Sequence, residues 1–179
     1  LKQYLLARNY TEESLLAAGL IVAAENGKTH DRFRDRLMFP IHDNRGRTIG
    51  FGARVLDDSL PKYINSPQTP VFDKSSTLYG LELAAPAIRQ QDEVIIVEGY
   101  MDVITAHQNG FSNVVASMGT SITEQQVAIL KRLSKNLVLA LDADTAGEEA
   151  MLRGVTYENT LGAEIRVIIL PAGKDPDDV

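Results

Sequence analysis

Carboxylates are the residues of this sequence best placed to do chemistry. Glu98 directly follows the apolar run Val94-Ile95-Ile96-Val97 and precedes Gly99. Asp142 and Asp144 directly follow Leu137-Val138-Leu139-Ala140-Leu141. Asp175, Asp177 and Asp178 follow a further apolar run, Ile165 to Leu170, after a short Pro-Ala-Gly loop. Carboxylates crowded together repel one another unless a cation neutralises them or some are protonated. Mg²⁺ takes oxygen ligands and keeps several waters, so a few carboxylates suffice beside a phosphate substrate. That combination is the apparatus of metal-assisted phosphoryl or nucleotidyl transfer. The plainer reading is that an acidic residue after a strand only caps the following helix. It suits Asp102 alone, or any one residue of the Asp175–Asp178 run. Capping by Asp144 leaves Asp142, two residues earlier, without a reason.

The elements that must position these groups are legible from periodicity. Val94 to Val97, Val114 to Ala116, Leu137 to Leu141 and Ile165 to Leu170 read as apolar strands. Between them lie helical stretches from about Met101 to Asn109, from Thr123, and from about Ala146 to Leu161. Thr123 with Gln126 three residues later forms a capping-box signature. Continuous apolar strands alternating with helices predict a parallel sheet covered on both faces. In such sheets ligands gather at the carboxyl ends of the strands, where the carboxylates fall.

The first ninety residues follow a different pattern. Thr11 before Glu12 and Glu13 reads as a helix start and Gly19 as its stop, leading into Leu20-Ile21-Val22; Asn26-Gly27 marks a turn. Arg36 to Asp43 and Thr48 to Val55 read as a hairpin closed by Asn44-Arg45-Gly46-Arg47, with Pro40 pointing to an edge strand or a bulge. Asp57 to Ser76, with three prolines, reads as a connection of little regular structure, and Leu78 to Arg89 as a helix interrupted by Pro86. The expected architecture is α/β: residues 1–92 as a smaller α+β subdomain, then a parallel sheet flanked by helices over 93–179, with the boundary near Gln91-Asp92.

Composition narrows the function classes. The chain has 179 residues, 44% apolar and 23% charged, as in ordinary globular domains. No apolar run approaches the roughly 18 residues of a membrane helix. Cysteine is absent, which excludes disulfides and cysteine-liganded metal within these residues, and His30, His42 and His107 show no metal-ligand spacing. The opening Leu1-Lys2-Gln3-Tyr4 reads as the start of an excised fragment. The net charge of −6 is uneven: Lys28 to Lys74 holds nine Lys and Arg against six Asp and Glu, and Ser75 to Val179 holds seven against fifteen. A basic region thus precedes an acidic one, which suits a polyanion handled beside a metal. Arg32, Arg34 and Arg36 recur at every second residue, so an extended segment would put them on one face. Phe33, Phe51 and Tyr63 interleave with the basic residues and could stack on bases, although core packing is the plainer reading.

Two stretches, Val94 to Asp102 (VIIVEGYMD) and Leu137 to Gly147 (LVLALDADTAG), closely resemble the signature motifs of the Toprim domain. The form EGYMDV, then ASMGTS and LALDADTAG, is similar to DnaG-type bacterial primases in particular. So are LMFPIHDNRGRTIGFGARV after Arg32 to Arg36, and PKYINSPQTPVFDKSSTLYGL. The resemblance runs from about Tyr10 to Val179 with the motifs in order. It implies a Toprim-type sheet preceded by the family's basic subdomain, and a DNA-directed RNA polymerase that makes short primers for DNA replication. It implies Glu98, Asp142 and Asp144 as catalytic metal ligands, with Asp175 and Asp177 joining the metal site. Arg54, Lys62, Asn65 and Lys74 would lie on the nucleotide side, Arg32 and Arg34 in a template groove, and Asp102 near the same cluster. Gly99 and Gly147 would let backbone approach metal and phosphates. Ala53 stands where many members have glycine. The implied cofactor is Mg²⁺ or Mn²⁺, with zinc only in an amino-terminal domain outside these residues. The implied partners are single-stranded DNA, ribonucleoside triphosphates and, through a carboxyl-terminal domain also outside them, a replicative helicase. The implied setting is the cytoplasmic replication machinery, the primosome.

Three other readings compete. One is another Toprim protein, such as a nuclease or a topoisomerase fragment; the latter needs a tyrosine nucleophile elsewhere. Asp142-Ala143-Asp144-Thr145 also fits the DxDxT motif of haloacid-dehalogenase-type phosphatases. There the motif follows the first strand, whereas here it follows the third, and Glu98 goes unused. The third is a non-catalytic nucleic-acid-binding fragment, because a truncated chain could keep the metal site and lose template affinity.

Overall fold

The structure, a computed structural model, describes residues 1–118, 122–140 and 162–168. The chain forms two compact units, Leu1–Asp73 and Lys74–Val179. Compactness therefore places the second unit's start ahead of Gln91-Asp92, the point where the parallel strands begin.

In the first unit, helix α1 (Lys2–Leu6) is joined to strand β2 (Thr29–Asp31) by the Lys2 amide on Asp31 Oδ1 at 2.7 Å and Lys2 Nζ on Thr29 Oγ1 at 2.6 Å. Sequence reading did not anticipate α1; a five-residue helix carries too little periodicity to see. Helix α2 (Glu12–Ala17) starts as expected, with Thr11 Oγ1 accepting the Ser14 amide at 3.1 Å. Strand β1 (Ile21–Ala23) pairs antiparallel with β2. Strands β3 (Arg36–His42), β4 (Thr48–Val55) and β5 (Tyr63–Asn65) form a second antiparallel sheet in the order β3-β4-β5. Pro40 sits on the edge strand, one residue before a bulge at Ile41/His42, so its missing N–H breaks no inner ladder. Phe39 and Ile41 alternate inward, and they are buried, as are Ala53, Val55 and Phe72 of the same unit. Gly50 leaves little room for a side chain: a Cβ there would lie 3.2 Å from the Phe72 ring and 3.3 Å from Ser66 Cβ, so those neighbours would have to give. The proline-containing connection is more regular than expected, since β5 uses the open edge of β4.

In the second unit, strands β6 (Val94–Val97), β7 (Val114–Ala116), β8 (Asn136–Leu139) and β9 (Glu164–Val167) form a parallel sheet in the order β7-β6-β8-β9. Helices α3 (Leu81–Gln91), α4 (Tyr100–Gln108) and α5 (Glu124–Leu130) flank it. Ile96, Leu137 and Leu139 pack with Leu81, Ala84 and Ile88 of α3 and Val127 and Leu130 of α5. Val97, Val114 and Ala116 pack separately with Val103 of α4. Two clusters on one sheet explain why its strands are apolar on both faces.

Pro86 does not interrupt α3, contrary to expectation. The helix carries proline in its interior because fully buried Ala84 and Ile88 anchor it to the sheet, offsetting a cost of about 3 kcal/mol. Strand β9 begins at Glu164 and is described to Val167. The helix expected over 146–161 lies outside the described residues, whose helices include none long and apolar enough to cross a membrane.

Candidate metal and nucleotide site

Strand β6 is an inner strand, flanked by β7 and β8, and Glu98 is the first residue past its carboxyl end. Two amides from the chain leaving β7 hold this corner. Ser117 N–H donates to the Val97 carbonyl at 3.2 Å, and Met118 N–H to the Glu98 carbonyl at 2.9 Å. Met118 adopts φ 64°, a conformation that costs an ordinary residue roughly 1–2 kcal/mol, and its buried side chain offsets that cost. Backbone strain is thus stored at the carboxyl edge, beside the one site glutamate. The Glu98 side chain is half-buried.

Gly99 then caps α4. Its N–H donates to Asp102 Oδ2 at 2.9 Å, the reach-back half of a capping box. A Cβ on Gly99 would sit 3.1 Å from that oxygen, so glycine admits the close approach. Asp102 is buried, at 8% exposure, with its charge at the positive end of α4. It fixes the strand-to-helix turn on which Glu98 rides. The capping use weighed from sequence is therefore present; a role toward nucleotide is a separate question.

Ala140 N–H donates to the Ile96 carbonyl at 2.9 Å, so the strand leading to the second motif is zipped to β6. Asp142, Asp144, Gly147, Asp175 and Asp177 lie outside the described residues. Among the described residues no three or more histidine, aspartate or glutamate side chains gather as a metal site. The donor chemistry fits a hard divalent cation as far as the described residues go: Glu98 offers carboxylate oxygen at a strand end, the ligand type Mg²⁺ and Mn²⁺ prefer.

The candidate site residues divide between the two units. Arg54, Lys62 and Asn65 belong to the first, Lys74 and Glu98 to the second. Arg54 pairs with Tyr63 across β4 and β5, its guanidinium 5.5 Å from the Tyr63 ring centre, and Lys62 Nζ lies 5.9 Å from the same ring. Two cations and an aromatic face thus form one patch. Tyr63 is 40% exposed, so it is not the core residue that plain packing suggested. Phe33 and Phe51 do pack together, edge to face at 6.2 Å.

Arg32, Arg34 and Arg36 do not share one extended face. Asp35 takes φ 51° and bends the segment between β2 and β3. Arg32 donates from Nε and Nη2 to the Asn65 carbonyl at 3.3 and 3.0 Å, and Arg36 Nη1 to the Pro61 and Lys62 carbonyls at 2.9 and 3.3 Å. Arg36 ties the chain before β5 to β3, and Arg32 ties β5 to the segment between β2 and β3, whereas Arg34 is exposed. Lys74 is half-buried, and desolvation pulls its amine below the usual lysine range. Sequence reading missed how Thr123 and Gln126 engage the segment carrying Lys74; the capping box gave the helix start and nothing of its tertiary partner.

Residues 1–85 match the family model described as DNA primase catalytic core, N-terminal domain, and residues 95–179 the model described as Toprim-like. The DNA primase of Clostridium acetobutylicum is 50% identical over 178 residues, covering 99% of this chain and 30% of that protein. A solved DNA primase domain from Pseudomonas aeruginosa is 47% identical with a TM-score of 0.86, covering 93% of this chain and 53% of that one. A DnaG primase catalytic domain bound to ssDNA is 41% identical with a TM-score of 0.86, covering 96% of this chain and 56% of that one. This chain spans about 30% of the length of the curated relative it matches.

Proposed function

The chain belongs to the DnaG-type bacterial primase family, as part of its catalytic core, and from that premise we propose that it performs DNA-templated synthesis of short RNA primers. The observation that carries this reading is Glu98 at the carboxyl end of an inner parallel strand, with the Asp142/Asp144 motif next in sequence after the neighbouring strand β8. The reaction is attack of an RNA 3′-hydroxyl on the α-phosphate of an incoming ribonucleoside triphosphate, with pyrophosphate leaving. Glu98, Asp142 and Asp144 would hold Mg²⁺ or Mn²⁺, with Asp175 and Asp177 contributing. Bound there, the cation supplies activation of the hydroxyl and neutralises phosphate charge.

The chain's own residues do the rest. Asp102 holds the Gly99 amide and so fixes the turn that presents Glu98. Arg54 and Lys62 offer two cations beside the exposed Tyr63 face, suited to phosphate and to a stacked base of single-stranded DNA or nucleotide. Such contacts bind without reading sequence. Lys74, in the second unit, offers a cation toward triphosphate. A single-stranded DNA template is supported by the relative solved with ssDNA. The functional division, 1–92 as basic subdomain and 93–179 as Toprim part, is supported by the extents of the two family matches. Engagement of a replicative helicase belongs to the whole protein.

Template-dependent ribonucleotide incorporation with added Mg²⁺ or Mn²⁺ tests the reading. Metal-dependent primers that vanish on Glu98→Gln are expected. Metal-independent activity, or phosphatase turnover without polymerisation, would overturn it.

A further inference from the structure

The segment Lys74–Thr77 has no regular secondary structure, yet the first turn of α5 grips three of its carbonyls. Gln126 is fully buried, and its Nε2 donates to the Lys74 carbonyl at 3.2 Å and the Thr77 carbonyl at 2.9 Å. Thr123 Oγ1 donates to the Ser75 carbonyl at 2.5 Å while accepting the Gln126 amide at 3.1 Å. Gln126 Oε1 accepts the Thr123 amide at 3.0 Å, which fixes which end of the carboxamide faces the segment. Gln125 Oε1 accepts from Ser75 Oγ at 3.0 Å. Four residues of loop are thus held by the side chains of one capping box and its neighbour. A capping box needs only its own two reciprocal bonds. The extra donors serve the segment.

The segment carries a cation. No ion pair reaches the Lys74 ammonium among the described residues. Its amine is half-buried, where a charge without a counterion is disfavoured. A loop pinned at three carbonyls that presents a partly desolvated cation is pre-organised for an anion. We infer that Thr123 and Gln126 are positioning residues for Lys74, holding its amine to receive the phosphates of the incoming ribonucleoside triphosphate. This rests on the nucleotide role proposed above for Lys74.

The test uses steady-state primer synthesis by the full-length protein containing this sequence, with ATP as the varied substrate, and single-stranded DNA binding measured alongside. Thr123→Val and Gln126→Met are expected to raise the KM for ATP about tenfold, the effect of losing one charge-assisted contact. kcat and DNA affinity should hold, and Thr123→Ser, which keeps the hydroxyl, should restore the KM. In a Lys74→Ala background Thr123→Val should add less than about twofold, because both act through one amine. Gln126→Met keeps the volume and leaves the Thr123 cap on the Gln126 amide, so it carries the same comparison if Thr123→Val does not fold. An unchanged KM in folded Thr123→Val and Gln126→Met, with Lys74→Ala impaired, overturns the inference and leaves the role of Lys74 standing. Full multiplication of the two effects overturns it as well. A wild-type KM in Lys74→Ala removes the nucleotide role of Lys74 and the inference together.

Discussion

Replacing Glu98 by glutamine separates chemistry from fold, because the structure divides its backbone role from its side-chain role. The Glu98 carbonyl accepts the Met118 amide, and the next amide is held by Asp102. Neither bond uses the Glu98 side chain, so Glu98→Gln keeps both. The side chain is half-buried and glutamine keeps its shape, so metal-free stability should change by no more than about 1 kcal/mol. If Asp142 and Asp144 share the site as proposed, relief of their repulsion would push the change toward stabilisation. Metal binding reverses the order. A cation at 100 times its Kd stabilises the parent by about 2.7 kcal/mol. For a chain of this size that is roughly 5–11 °C in Tm. Glu98→Gln should lose most of that shift and lower primer synthesis by at least about 100-fold. Thermal unfolding with and without Mn²⁺, beside ribonucleotide incorporation, reads both quantities. Wild-type turnover, or a full metal-induced Tm shift in the variant, would refute the assignment of Glu98 as a metal ligand.

Asp102→Ala orphans the Gly99 amide and should cost about 1–2 kcal/mol in denaturant unfolding, whereas Asp102→Asn keeps an acceptor oxygen and recovers most of it; equal losses would mean that the bond to Gly99 contributes little. Arg54→Ala or Lys62→Ala should weaken single-stranded DNA binding and reduce the slope of log affinity against log salt by about 0.7 each, irrespective of template sequence. Arg89 is the control for that titration, because Arg166 is tied to Glu93 at 2.6 Å and its loss would disturb the sheet edge; an equal effect at Arg89 would reduce the patch to diffuse attraction. Asp43 in the β3–β4 turn is held down to about 2 by the Arg47 side chain and then by the Arg47 and Arg45 amides. Its folded pKa lies below its unfolded one, so its contribution is present above about pH 4 and is lost as pH falls toward 2. Acid titration of stability should flatten over that window in Asp43→Asn, and an unchanged profile would show the turn to be energetically silent.

What was legible in the sequence follows the physics of each signal. The parallel strands were plain because burial on both faces leaves continuous apolar runs, and Val94–Val97 and Val114–Ala116 fall where those runs are. The hairpin was plain because alternation and a turn signal agree over Arg36–His42 and Thr48–Val55. Strand β5 was hidden because three residues carry no period, and its place depends on β4 leaving an edge to pair. Pro86 misled because local rules charge the lost backbone bond in full and cannot see the buried face that offsets it. The candidate site divides in the same way. Glu98 was legible because its position depends only on the strand before it. The arginines at 32 and 36 were misplaced because their targets are carbonyls some thirty residues away, which spacing does not encode. Residues whose role is fixed by the element they stand on can be read from sequence, whereas those fixed by a distant acceptor need coordinates. Arg32, Arg36, Thr123 and Gln126 are all of the second kind, and each spends its donors on main-chain carbonyls rather than on solvent. Among the cations of the candidate site, Arg34, Arg54, Lys62 and the half-buried Lys74 are accordingly the ones left to meet a polyanion.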